Sequence, residues 1–112
     1  MNRWIQGLLI TLLILLMAPG LGNSAGSSEG AELFQQHCAA CHINGGNIIR
    51  RGKNLKLKAL ERQGIASVDA IAQIAREGVG QMSGYGELLG PGGDQIVAEW
   101  IWEQAQKAWI QG

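Results

Sequence analysis

The sequence predicts an all-α domain, and three observations carry that prediction. Apolar residues recur at helical spacing in several segments, most clearly Val97, Trp100, Ile101, Ala105, Ala108 and Trp109 near the C-terminus. Residues that start helices (Ser28, Ser67, Asp94) stand before such segments, and Gly64 and Gly78 close two of them. The third observation is Cys38-Ala39-Ala40-Cys41-His42, a C-x-x-C-H run of the kind that attaches a c-type haem covalently. Two thiols three positions apart lie on one face of a helical turn, so both can bond one porphyrin edge. His42 follows directly and can reach under the ring to bind iron. A buried ring also supplies what the composition lacks. Glycine fills 17 of 112 positions, where average usage gives roughly 8, so side chains alone make a marginal core.

Taken in order, the chain begins with an export signal. Asn2-Arg3 is a short basic start, Leu8 to Ala18 is apolar apart from Thr11, and Pro19-Gly20 and a small-residue stretch follow. The apolar run falls short of the roughly 20 residues that a spanning helix needs. The expected division is residues 1–25 as signal peptide, cleaved after Ala25, and residues 26–112 as the mature domain. Without Arg3, eight basic and nine acidic residues remain. That balance excludes a nucleic-acid-binding role.

A helix is expected from about Glu29 to Cys41, capped by Ser28, with Gly30, Phe34 and Cys38 on one face. His37 reads as a solvated helix residue. Both cysteines lie in the C-x-x-C-H run. A disulfide between Cys38 and Cys41 would close too short a loop to stabilise much. A thioredoxin-like redox pair expects a βαβ setting, and no strand pattern precedes Cys38. Zinc needs about four ligands, and His37 is awkwardly placed beside Cys38 to serve as one.

Ile43 to Lys56 reads as loop, with a turn cluster at Asn44-Gly45-Gly46-Asn47. Arg50, Arg51, Lys53, Lys56 and Lys58 then gather positive charge, read either as a solvated surface or as a docking patch for an acidic partner. Leu57 to Gln63 is a short helix stopped by Gly64. Ser67 caps the next, which has Asp69 in its first turn, Val68, Ile71 and Ala75 on its apolar face, and Ile74 beside them. Gly78 to Gly93 reads as a long loop with seven glycines. Met82 stands in it, the only methionine left once Met1 and Met17 go with the signal. A glycine-rich loop has little core of its own and can bring its backbone close to a flat ligand, so Met82 is the candidate sixth ligand of a haem iron. Asp94 caps a final helix to about Trp109, whose Val97 and Trp100 suit Gly30 and Phe34 across a helix crossing.

On these residues the chain resembles the class I c-type cytochromes, and among them the cytochrome c6 family of photosynthetic electron carriers. The resemblance spans nearly the whole expected mature chain. It rests on Cys38 to His42 with Gly45-Gly46-Asn47, on Ala66-Ser67-Val68-Asp69-Ala70-Ile71, on Gly78-Val79-Gly80-Gln81-Met82, and on Glu103-Gln104-Ala105 with Lys107-Ala108-Trp109. It implies the class I cytochrome c fold, four to five short helices wrapped around one covalently bound haem with His/Met ligation. It also implies export to the thylakoid lumen or periplasm. Three positions depart from the family pattern: Ser83 replaces the Pro usual after the ligand Met, Ile74 a Gln near the haem, and Leu88 an Arg associated with docking to photosystem I.

The expected activity is one-electron transport by a monomeric carrier, not catalysis. Cys38 and Cys41 anchor haem c, and His42 and Met82 take the two axial positions. The second ring nitrogen of His42 is expected to donate to a carbonyl in the Gly45 to Asn47 loop. Partners would be a cytochrome bf- or bc-type donor and photosystem I or a terminal oxidase as acceptor, met where an apolar rim such as Leu88 or Ile43 surrounds the ring edge. Two other classes stay open on the residues alone. A haem sensor or minor haem enzyme would have a displaceable Met82, and a thiol-disulfide oxidoreductase would use the two cysteines.

Overall fold

The computed structural model describes residues 22–110. The expected signal segment therefore falls almost wholly outside the described residues. The order is α1 (Gly22–His37), α2 (Ala39–His42), a 3-10 turn (Ile43–Gly45), α3 (Leu57–Arg62), α4 (Val68–Glu77), β1 (Gly78–Val79), β2 (Met82–Ser83), α5 (Gly86–Leu89) and α6 (Gly93–Gln106).

The first and last helices cross at Gly30. A Cβ there would stand 2.6 Å from Trp100 Cβ and 2.9 Å from the Ile96 carbonyl, so only glycine lets the backbones approach this closely. Phe34 packs beside the crossing, its ring centroid 4.9 Å from that of Trp100 and 5.4 Å from that of Trp109. Such aromatic pairs add about 0.5–1.5 kcal/mol beyond the area they bury. Val97 and Leu60 are fully buried, and Ile71, Ala72, Ala75, Leu89, Ala98, Ile101 and Ala105 complete the core around them. Gly30 and Phe34 thus meet Trp100 as the helical spacing predicts, and Phe34 shares the buried core with Val97.

Element ends differ from expectation in instructive ways. Ser28 lies inside α1 rather than at its cap, because the chain is already helical from Gly22. The helix expected to reach Cys41 breaks one residue after His37. Cys38 takes φ −119°, ψ −34°, and the chain restarts as α2. Ser67 caps α4 as predicted, its hydroxyl accepting from the Ala70 N–H at 3.1 Å. The cap of α6 is Gly92, and Asp94 sits two residues further in, in the first turn. There it takes the Arg76 guanidinium of α4 as partner, which ties the two helices together.

The long glycine-rich loop is not structureless. β1 and β2 form a small antiparallel hairpin, Gly78 opposite Ser83 and Val79 opposite Met82, and α5 follows. Segments of two and four residues are too short to show periodicity, which is why the pattern missed them. At the other end α6 stops at Gln106. Ala108 and Trp109 adopt φ +54° and +60°, folding the last indole back onto the body of the protein.

Candidate haem-binding site

A cavity of about 350 Å³ opens between α2, α3, α4, the hairpin and the loop after α2. Cys38, Cys41 and His42 line one side of it, and Met82 and Ser83 of the hairpin also face it. Leu60, Ile65, Ile71, Ile74, Ala75 and Ile101 give apolar walls. All four residues singled out in the sequence therefore meet at one place, although Met82 is 40 positions from His42.

The motif stands where α1 breaks. Cys38 donates its N–H to the Phe34 carbonyl at 2.8 Å, closing α1, and its own carbonyl receives the His42 N–H at 3.0 Å, opening α2. Both thiols are free and half-buried. Burial pushes the Cys38 thiol up to about 11. Redox-active thiols have depressed pKa values and exist as thiolate near neutral pH. The shift at Cys38 runs the other way and counts against a thiol-disulfide oxidoreductase.

His42 is buried. Its Nδ1 lies 2.8 Å from the Gly46 carbonyl oxygen, the predicted bond to the turn that follows. A carbonyl can only accept, so Nδ1 carries a proton, and in the neutral imidazole Nε2 is then the nitrogen with the lone pair. Backbone geometry places that carbonyl. Asn44 (φ +52°) and Gly45 (φ +78°) both turn left-handed, bringing Gly46 back over the ring. Gly45 is also packed against the Trp109 indole. A Cβ there would be 2.5 Å from Trp109 Cδ2 and Nε1.

The loop from Gly46 to Lys56 is held by asparagines. Asn47 Oδ1 accepts from the N–H groups of Ile49 (3.0 Å) and Arg50 (2.8 Å), and its Nδ2 donates to the Lys53 carbonyl at 2.9 Å. Asn54 adds bonds to the Arg51 carbonyl and the Lys56 N–H, both at 2.9 Å. These turns leave Arg50, Arg51, Lys53, Lys56 and Lys58 exposed, and among the described residues none of them forms an ion pair. Arg50 and Lys53 border the cavity.

Two residues at the cavity escaped the sequence reading. His37, expected to be solvated, is half-buried, because α1 turns it inward at the break, toward the cavity wall. Its ring centroid is 6.3 Å from that of Tyr85, which also lines the cavity. The signal for Tyr85 was available: it is the only tyrosine in the chain, beside the loop that carries Met82.

Comparisons with known proteins agree with this geometry. Residues 25–101 match the family model described as cytochrome C oxidase, cbb3-type, subunit III. A cytochrome c6-like protein of Nostoc sp. PCC 7120 is 41% identical over 97% of this chain and 99% of its own length. The chain belongs to the cytochrome c6 family of class I c-type cytochromes. Among solved structures, cytochrome c6B from Synechococcus sp. WH8102 is 74% identical, covering 75% of this chain and 96% of its own at a TM-score of 0.73. Oxidized cytochrome c6A from Arabidopsis thaliana is 33% identical over 78% of this chain and 97% of its own, at a TM-score of 0.71. As a c6-type cytochrome the protein is a haem electron carrier with one haem c bound through Cys38 and Cys41. The site fits that group. It offers two thiols on adjacent turns, a buried imidazole with a free Nε2, and apolar walls.

Proposed function

We propose that this cytochrome is a single-electron shuttle whose haem iron is held between His42 Nε2 and the Met82 sulfur. The bond from His42 Nδ1 to Gly46 carries the reading, because it fixes the neutral ring's tautomer and leaves the other nitrogen for a metal, at a cavity that His42 and Met82 both line. When bound, the haem supplies a ferric/ferrous couple, whose potential a thioether ligand raises. The chain's own residues do the rest. Cys38 and Cys41 keep the ring from leaving, Leu60, Ile71 and Ile101 exclude water, and the hairpin brings the thioether to the cavity. With His42 and Met82 both holding the iron, no substrate would reach it, which supports a carrier rather than an enzyme.

Exchange takes place at the cavity mouth. Ile49 and Val79, 62% and 56% exposed, form an apolar rim there, with Arg50 and Lys53 beside it. This supports transient docking with an acidic redox complex, a cytochrome bf- or bc-type donor and photosystem I or an oxidase as acceptor. Among the described residues no helix is long and apolar enough to cross a membrane. The basic and apolar start of the sequence supports export and signal removal after Ala25, and the protein works as a monomer in the thylakoid lumen or periplasm.

The absorption spectrum tests the ligand set. The native protein is expected to be low-spin, with a charge-transfer band from Met to ferric iron that Met82→Ala abolishes while His42 ligation persists. High-spin iron that binds carbon monoxide readily in the native protein would instead establish the sensor class and overturn the proposal.

A further inference from the structure

We infer that Trp109 is a positioning residue for the proximal ligand, a clamp supplied by the end of the chain. The inference rests on His42 as that ligand and adds to it the device that sets the ligand's hydrogen bond.

A closed circuit of contacts carries it. The indole Nε1 of Trp109 donates to the Leu55 carbonyl at 3.1 Å, joining residues 54 positions apart. The Leu55 N–H donates to the Gly45 carbonyl at 2.7 Å. The indole closes the circuit by lying against Gly45 where a side chain would otherwise stand. Gly46, the next residue, bears the carbonyl that accepts from His42 Nδ1. Gly45, the residue just before that carbonyl's own, is thus held twice by one side chain, directly and through Leu55.

The backbone of the clamp is itself strained. Two successive residues other than glycine, Ala108 and Trp109, stand at positive φ, a costly conformation that persists where surroundings over-determine it. The Trp109 N–H to the Gln104 carbonyl, 2.9 Å, holds this reversal against the end of α6. A side chain that only filled core volume needs neither a directed N–H nor such a turn. Trp100 makes the comparison. It packs in the same aromatic cluster, 5.7 Å from Trp109 and against Gly30, yet lies at the helix crossing rather than on the turn.

The consequence reaches the iron through the imidazole. A short bond from Nδ1 to a carbonyl makes the ligand more basic and favours ferric iron. Loosening the turn weakens that bond, so the reduction potential rises.

The test compares Trp109→Phe with Trp100→Phe in the haem-loaded protein. Each variant is expected to melt earlier than the wild type. Only Trp109→Phe is expected to raise the potential and to speed exchange of the His42 Nδ1 proton, read by NMR in the ferrous state, on the order of tenfold, as the loss of one modest hydrogen bond allows. Where Trp109→Phe does not accumulate with haem, benzothienylalanine at position 109, which keeps the ring shape without the N–H, gives the same two readouts. An unmoved potential and exchange rate at position 109, or equal shifts from Trp100→Phe, overturn the inference. A native spectrum without histidine ligation defeats the proximal-ligand reading instead, so the two failures are distinct.

Discussion

Ile74 shows what one side chain in the cavity wall can change. It is half-buried on α4 and lines the site, at the position where the resemblance to the family implies a Gln. An amide there would add an oriented dipole beside the ring, and isoleucine adds none, so the potential should sit below that of Gln-bearing relatives. Ile74→Gln is expected to raise the midpoint potential in a spectroelectrochemical titration; a lower or unchanged value refutes the idea. The residues that matter were largely readable at this scale, because chemistry restricts them. Only Cys, Cys and His make the attachment motif, and only one Met survives the expected processing. His37 and Tyr85 were not readable as a pair. Their meeting depends on the break at Cys38, a backbone event that no residue type announces.

Between α4 and α6, the pair of Arg76 and Asp94 gives the fold an acid-sensitive joint. The Arg76 guanidinium holds the Asp94 carboxyl below its ordinary value of 3.8. A lowered folded-state value favours the charged form in the native protein. Its stabilisation is full above about pH 3.8 and disappears as pH falls through the lowered folded value. Asp94→Asn is therefore expected to lower the melting temperature by a constant, small amount near neutral pH, and the gap to the wild type should close in acid. A gap that persists at pH 2 would show that the variant acts through something else. At the element scale the sequence spoke for α3, α4 and α6, which have stops, caps or an apolar stripe. It was silent on the hairpin and α5, whose glycines (78, 80, 84, 86 and 90) spell loop while their backbone pairs and coils in segments too short for a period. Met82, the proposed sixth ligand, thus stands on a paired strand, held more firmly than a free loop would hold it.

Charge is laid out unevenly over the whole molecule. Of the eight basic residues after Arg3, six fall between Arg50 and Arg62, and the acids there amount to Glu61 alone. The asparagine-braced loop sets Arg50 and Lys53 of this cluster beside the cavity, on the side proposed for electron exchange. Small redox reagents of opposite sign report it. Replacing Arg50, Arg51 and Lys53 by Glu is expected to slow oxidation by ferricyanide about tenfold at low ionic strength, to leave or speed exchange with hexaammineruthenium, and to lose both effects near 1 M salt. Equal changes with the two reagents would assign the effect to altered exposure of the ring instead. The cluster was visible in the chain; its placement was not, since nothing local says that Arg50 and Lys53 border the same space as Met82.

The placement of the tryptophans has one more consequence, an optical one. Of four in the chain, Trp4 belongs to the expected signal, and Trp100, Trp102 and Trp109 all lie on α6 or the turn that ends it. Ile101, between the first two, lines the cavity, so the indoles stand within reach of energy transfer to the porphyrin. The folded protein should therefore be nearly dark in tryptophan emission. Brightening during unfolding would follow a single event, the departure of the last helix from the ring, and would say nothing of the first helix or the hairpin.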